Sequence, residues 1–117
     1  MLKAFLRRFW QRCIWSWAGW RAAWRTEASL WQWTGVCVIS CAAALWMDLT
    51  RGETALLLAL SVLVVASELI NTAIERTVDL VTREQHDLAR EAKDTASAFV
   101  ALTAIAGGVA WLVILFG

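Results

Sequence analysis

The chain reads as an all-α membrane protein, with three transmembrane helices behind an N-terminal amphipathic helix that lies on the membrane surface. Three observations carry this reading. Of the 117 residues 60% are hydrophobic, and the mean hydropathy is +0.57, too apolar for a small soluble domain. Residues 28–47 and 95–117 hold no charge at all, and the stretch from Thr54 to Ile74 holds one. Proline is absent, which favours unbroken helices. At roughly 20 residues per crossing, the chain has room for three spans in a single membrane-embedded unit and for little else.

Residues from about 3 to 25 come first. They mix Lys3, Arg7, Arg8, Arg12, Arg21 and Arg25 with tryptophans, and Trp10, Trp17, Trp24 and Trp31 recur every seven residues. An Arg- and Trp-rich helix of this kind is suited to the membrane interface. Arginines interrupt the segment throughout, and it has no Ala-x-Ala site, so a cleavable signal peptide is not expected. The first span follows at residues 28–47, about 30 Å of helix. The run Asp48 to Glu53 reads as a short polar turn. The second span covers 54–81 and projects beyond the lipid. Residues 82–94, with Arg83, Glu84, His86, Asp87, Arg90, Glu91, Lys93 and Asp94, read as a charged loop or helix end. The third span is 95–116, where Ala101, Ala104, Gly107 and Gly108 form a small-residue face for close helix packing. Cys37 and Cys41 lie in an apolar run without further ligand types nearby. They and Cys13 are expected to be free thiols.

Orientation follows from the cations. Ten of the eleven Lys and Arg residues lie before the first span or between residues 76 and 93, and only Arg51 lies in the other loop. The positive-inside rule then places the N-terminus and the 82–94 segment in the cytoplasm and the C-terminus on the opposite side.

The chemistry is concentrated in the second span. Glu68 is the only charge between Thr54 and Ile74, and an intramembrane carboxylate is a functional-site candidate. At 100° per residue, Asn71, Glu75 and Asp79 share its helix face. The stripe runs from inside the membrane out into water. Glu27, Glu75 and the pair Lys93–Asp94 stand at the cytoplasmic mouths of the three spans. Glu68 lies about 10 Å deeper than Glu75. Two carboxylates at the water's edge suit Mg²⁺ with a polyphosphate. A lysine there can neutralise a transferring phosphoryl group. A carboxylate withdrawn from water can take a proton from a hydroxyl. The set fits phosphoryl transfer from a cytoplasmic nucleotide to a membrane alcohol. No Gly-x-x-x-x-Gly-Lys-[Ser/Thr] sequence and no Gly-rich kinase loop is present, so side chains and metal must hold the nucleotide. Taken singly, Glu75 with Asp79 would pass for a solvated helix end, Lys93 for an interfacial anchor, His86 for a surface histidine, and Glu68 with Asn71 for a polar lock between helices. Their shared level in the membrane favours the chemical reading.

The run Glu68-Leu69-Ile70-Asn71-Thr72-Ala73-Ile74-Glu75, with Asp79 and then Ala92-Lys93-Asp94 and Ser97-Ala98, closely resembles the signature of the small bacterial integral-membrane diacylglycerol kinases, which undecaprenol kinases share. The segment Ser16 to Trp24, with Glu27-Ala28, resembles the N-terminal region of the diacylglycerol branch. The resemblance covers roughly residues 8–116. It implies a homotrimer with active sites shared between subunits, ATP with Mg²⁺ as donor, and the bacterial inner membrane as location. It implies Glu68 as catalytic base and Glu27 and Glu75 as metal ligands. Arg8, Trp15, Glu75, Glu84, Gln85, His86, Lys93 and Asp94 would surround the nucleotide. Ser16, Trp17, Arg21, Trp24, Ser29, Trp46, Glu68, Ser97 and Trp111 would line the lipid path, with Asn71 and Asp79 in support. Trp15 stands where the family has a tyrosine, Trp31 and Trp33 replace charged residues, and Gln85 replaces a tyrosine.

The expected activity is therefore ATP-dependent phosphorylation of diacylglycerol to phosphatidic acid at the cytoplasmic face, with no nucleic-acid partner. The alternatives are a kinase for another membrane alcohol such as undecaprenol, and a non-catalytic helical membrane assembly protein or channel.

Overall fold

A computed structural model describes residues 1–117 as four helices: α1 Leu2–Thr26, α2 Ala28–Trp46, α3 Arg51–Val81 and α4 Asp87–Phe116. There are no strands and no cis peptides. The last three helices are each long and apolar enough to cross a membrane. The molecule measures 48 × 47 × 24 Å. Its second extent is nearly twice its thickness because α1 stands off the bundle formed by α2, α3 and α4.

The helix boundaries have local causes. A single residue, Glu27, separates α1 from α2. Its backbone is extended (φ −110°, ψ 104°), and its N–H bonds the Ala23 carbonyl at 2.9 Å. Just before it, the Thr26 hydroxyl bonds the Ala22 carbonyl at 3.0 Å, a side-chain bond that competes with helix continuation. α3 begins at Arg51, earlier than the polar pattern suggested. Thr50 caps it: the Thr50 hydroxyl accepts from the Glu53 N–H, while the Glu53 carboxylate accepts from the Thr50 N–H at 2.8 Å. This reciprocal capping box converts half of the expected 48–53 turn into helix. α4 likewise begins at Asp87 rather than near residue 95. His86 caps it by accepting the Leu88 N–H on Nδ1 at 3.1 Å. Asp87 then sits in the first turn, where the helix dipole favours negative charge. Only residues 82–86 remain outside helix between α3 and α4. At 1.5 Å per residue, α3 and α4 are each about 45 Å long, longer than a bilayer core of about 30 Å. Both therefore project into water at the charged end.

α3 is the central element, packed on α2 and α4. Its buried face runs Leu57, Ser61, Val64, Glu68, Thr72, a spacing of three and four that follows one side of a helix. At the end away from the charged loop, Ala44, Leu57 and Ala110 form the tightest core, with Leu49, Leu60, Trp111 and Ile114 against it. Ser40, Ser61 and Trp111 link the three spans. The indole N–H of Trp111 donates to Ser40 Oγ at 2.8 Å, and the Ser61 hydroxyl, 3.4 Å from Ser40 Oγ, donates to the Leu57 carbonyl at 2.8 Å. The glycines of α4 depart from expectation. A Cβ at Gly107 or Gly108 would meet nothing within 4 Å, and both border a cavity of about 240 Å³ between the spans. Within one chain this small-residue face makes no close helix contact. Only 13 residues are buried, and large apolar side chains such as Val38, Ile39, Leu63, Phe99 and Leu112 point outward. In a chain of membrane-spanning helices such surface faces lipid or other protein. All three cysteines are free, with Cys37 buried and Cys13 exposed.

Replacing Ser40 by Ala leaves the Trp111 N–H without its acceptor where water is scarce. Intramembrane hydrogen bonds of this kind contribute about 1 kcal/mol. Ser40→Ala is therefore expected to lower thermal stability in detergent by that amount. An unchanged unfolding midpoint would show that the link contributes nothing.

Candidate functional site

Glu68 is 4% exposed, which is rare for a carboxylate and requires a partner. The partner is Ser29, the second residue of α2, whose hydroxyl donates to Glu68 Oε2 at 3.1 Å. The sharp joint at Glu27 starts α2 at the right height for this contact. Ser67, the residue before Glu68, is instead satisfied by the Val64 carbonyl at 2.6 Å. Ser29 is therefore the one side chain that reaches Glu68 from another helix, and Oε1 is left without a protein donor.

One turn along α3, Asn71 donates from Nδ2 to Glu75 Oε1 at 3.3 Å. Asn71 Oδ1 is buried and has no partner within the chain. Buried polar atoms are nearly always bonded, so this acceptor is open to a group supplied from outside. Glu27 and Glu75 both lie within electrostatic reach of Glu68. Glu27 Oε1 lies 3.8 Å from Arg76 and 3.3 Å from the Thr26 hydroxyl, whose one proton goes to the nearer Ala22 carbonyl. A further turn outward, Lys93 of α4 bonds Asp79 of α3 at 2.6 Å. The stripe Glu68, Asn71, Glu75, Asp79 thus grades from buried to half-exposed.

No cluster of three or more metal-type side chains forms within the chain. Mg²⁺ does not require one, since it takes one or two carboxylates and completes its shell with phosphate and water. Glu27 and Glu75 meet that condition, because each has one carboxylate oxygen engaged and the other without a protein partner.

The predicted nucleotide residues divide into two sets. Glu84, Gln85, His86, Lys93 and Asp94 line one polar cavity of about 450 Å³ in the α3–α4 bend, together with Asp79, Arg83 and Arg90. Arg8 and Trp15, on exposed faces of α1, and Glu75, on α3, do not border that cavity. The predicted lipid-path residues also divide. Ser16 and Trp17 border a cleft of about 710 Å³ between α1 and Leu69, the residue after Glu68. Arg21 and Trp24 are exposed on α1, where Trp24 stacks on Trp20 at 5.4 Å. Ser97 is exposed on α4. Trp46 is 92% exposed at the far end of α2, about 26 Å along that helix from Ser29. Trp111 is tied to Ser40. The last two therefore stand away from Glu68 within one chain.

Two contacts had little sequence signal. His86 acts as a helix cap, which a lone histidine in a charged run does not advertise. Arg76 reaches the α1–α2 joint, although as a cation beside Glu75 it would pass for a solvated side chain.

An all-α membrane protein with a buried carboxylate below a polar, cation-bearing cavity is the class that fold and site define. Comparison with known proteins specifies it. The family model for prokaryotic diacylglycerol kinase matches residues 14–115. A diacylglycerol kinase of Pseudomonas aeruginosa is 44% identical over 114 residues, which is 96% of this chain and 91% of that protein. A diacylglycerol kinase of Escherichia coli is 36% identical over 101 residues, 86% of this chain and 83% of that one. An undecaprenol kinase of Bacillus subtilis is 49% identical over 47 residues, 40% of this chain and 38% of that protein. The chain belongs to the prokaryotic diacylglycerol kinase family. It is an enzyme of that family, a membrane-embedded lipid kinase.

The Lys93–Asp79 pair has side-chain exposures of 38% and 45%, so water screens it and it contributes little to stability. Beside a transferring phosphoryl group its charge would have a larger consequence. Lys93→Met is expected to leave the unfolding midpoint nearly unchanged and to lower kcat/KM for ATP by about 10²-fold. A variant that loses stability but keeps its ATP kinetics would make the pair a structural one.

Proposed function

We propose that this protein phosphorylates diacylglycerol to phosphatidic acid at the cytoplasmic face of a bacterial inner membrane, with ATP as donor. The observation that carries this is the Glu68 carboxylate, buried in an apolar span yet held by a single serine hydroxyl. Its second oxygen is free to accept a proton from a substrate hydroxyl. Leu69 beside it borders an open cleft against α1, through which an apolar molecule can approach.

In this reading the free hydroxyl of diacylglycerol gives its proton to Glu68 as its oxygen bonds the γ-phosphorus of ATP. The bond from that phosphorus to the bridging β–γ oxygen breaks, and ADP leaves. Lys93 offsets charge developing on the transferring group. Glu27 and Glu75 would hold Mg²⁺, which when bound would neutralise the β- and γ-phosphates. The polar cavity of the α3–α4 bend, about 450 Å³, has room for part of a nucleotide; its cations Arg83, Arg90 and Lys93 are outnumbered by Asp79, Glu84, Asp87 and Asp94, so phosphates there would need a bound metal ion to offset the acids. α1 would lie flat in the cytoplasmic interface and guide lipid to Glu68.

The active protein would be a homotrimer. The unpartnered Asn71 Oδ1 and the outward apolar faces support completion by further copies, and the family resemblance supplies the number. Undecaprenol is the alternative acceptor. The diacylglycerol kinase relatives match most of the chain, whereas the undecaprenol kinase matches 40% of it, which favours diacylglycerol.

The test uses two variants. Glu68→Gln keeps the shape and hydrogen bonding but cannot accept the proton, so a loss of about 10²-fold or more in turnover is expected in a folded protein. Near-normal turnover would remove Glu68 as base. Mixing Glu68→Gln subunits with Glu75→Ala subunits should restore part of the activity if the site is composite. No recovery in proven mixed assemblies would confine both residues to one chain.

A further inference from the structure

Arg76 has no place in the chemistry described so far, yet it makes the main polar tie between α1 and the bundle. It is the only cation on α3 apart from Arg51 at the start of that helix. Following Glu75 directly, it is turned about 100° from the reactive face and extends toward the α1–α2 joint. Its Nη2 lies 2.5 Å from Thr26 Oγ1, 3.5 Å from the Ala22 carbonyl and 3.8 Å from Glu27 Oε1. The guanidinium therefore sits on the carbonyl end of α1, where positive charge complements the helix dipole. The rest of α1 is weakly attached, since Ala23 is its only buried residue.

The consequence falls on Glu27. The joint consists of that one residue, so whatever fixes the end of α1 fixes the Glu27 carboxylate. Arg76, itself held by Thr26, acts on Oε1, and Oε2 has no protein partner. Because Arg76 adjoins Glu75 in sequence, the same tie sets the spacing between Glu27 and Glu75. We infer that Arg76 is a positioning residue that holds Glu27 at the right distance from Glu75 for both to bind one nucleotide-associated divalent cation. This rests on the metal role proposed for the two glutamates.

The inference predicts a sign opposite to simple electrostatics. Removing a positive charge near a cation site lowers repulsion and should tighten metal binding. Loss of a positioning contact should weaken it, by about tenfold or more for a group that orients a ligand. The experiment titrates the full-length protein with Mn²⁺ by electron paramagnetic resonance, in the presence of β,γ-methylene-ATP, and measures the Mg²⁺ dependence of kinase activity alongside. Arg76→Ala is expected to weaken Mn²⁺ binding about tenfold and to raise the half-saturating Mg²⁺ by a similar factor, with the lipid KM unchanged. Arg76→Lys should recover part of the affinity, because it keeps the charge at the end of α1 but not the fork. Thr26→Val, which keeps Arg76 and removes its closest partner, should weaken binding in the same direction. It carries the test if Arg76→Ala fails to fold.

Unchanged or tighter Mn²⁺ binding in Arg76→Ala, with Glu27→Ala weakened, overturns the positioning role alone. Unchanged binding in Glu27→Ala overturns the metal assignment, and the inference falls with it.

Discussion

A carboxylate inside an apolar span must be answered by protein or by water, and the architecture of this chain follows from how Glu68 is answered. Its one cross-helix partner is Ser29. That contact requires α2 to start at the level of Glu68, which in turn requires the abrupt joint at Glu27. The joint fixes where α1 leaves the bundle, and Arg76 secures it from the other side. The serine hydroxyl satisfies one oxygen of Glu68. A single neutral donor is a sparse environment for a buried acid, one that leaves it available to a substrate hydroxyl.

The two ends of the bundle are built differently. Away from the charged loop, small and aliphatic residues close around Ala44, Leu57 and Ala110, and the Ser40–Trp111 bond ties α2 to α4. Near the loop, α3 and α4 carry carboxylates, Lys93 and the polar cavity of their bend. The packed end holds the spans in register, and the open end keeps charged groups hydrated. α3 is continuous through both, so the depth of Glu68 and the exposure of Asp79 are set by one rigid helix.

Much of this was legible in the sequence because the membrane simplifies the problem. Uncharged stretches of the right length identify α2 and the membrane part of α4. The period of the Glu68, Asn71, Glu75, Asp79 stripe fixes which way α3 faces. The helix starts were less legible, for a physical reason. Charged residues at 87–94 read as loop, yet they are compatible with helix once it projects into water and His86 caps it. The same applies at Arg51, where the pattern Thr50-x-x-Glu53 was the available signal of a capping box. Arg76 was not legible, because its role depends on where another helix ends. Gly107 and Gly108 suggested close packing that one chain does not make, since a small-residue face does not specify which helix it meets.

Fold, site and family converge on a bundle that would move a phosphoryl group from ATP to a membrane alcohol. The most direct measurement follows the γ-phosphate of labelled ATP, supplied with Mg²⁺, on the purified protein in bilayers containing either diacylglycerol or undecaprenol. Labelled phosphatidic acid is expected, with much less label on undecaprenol. Folded protein that labels neither lipid would rule out phosphoryl transfer to these alcohols, and label confined to undecaprenol would reassign the substrate.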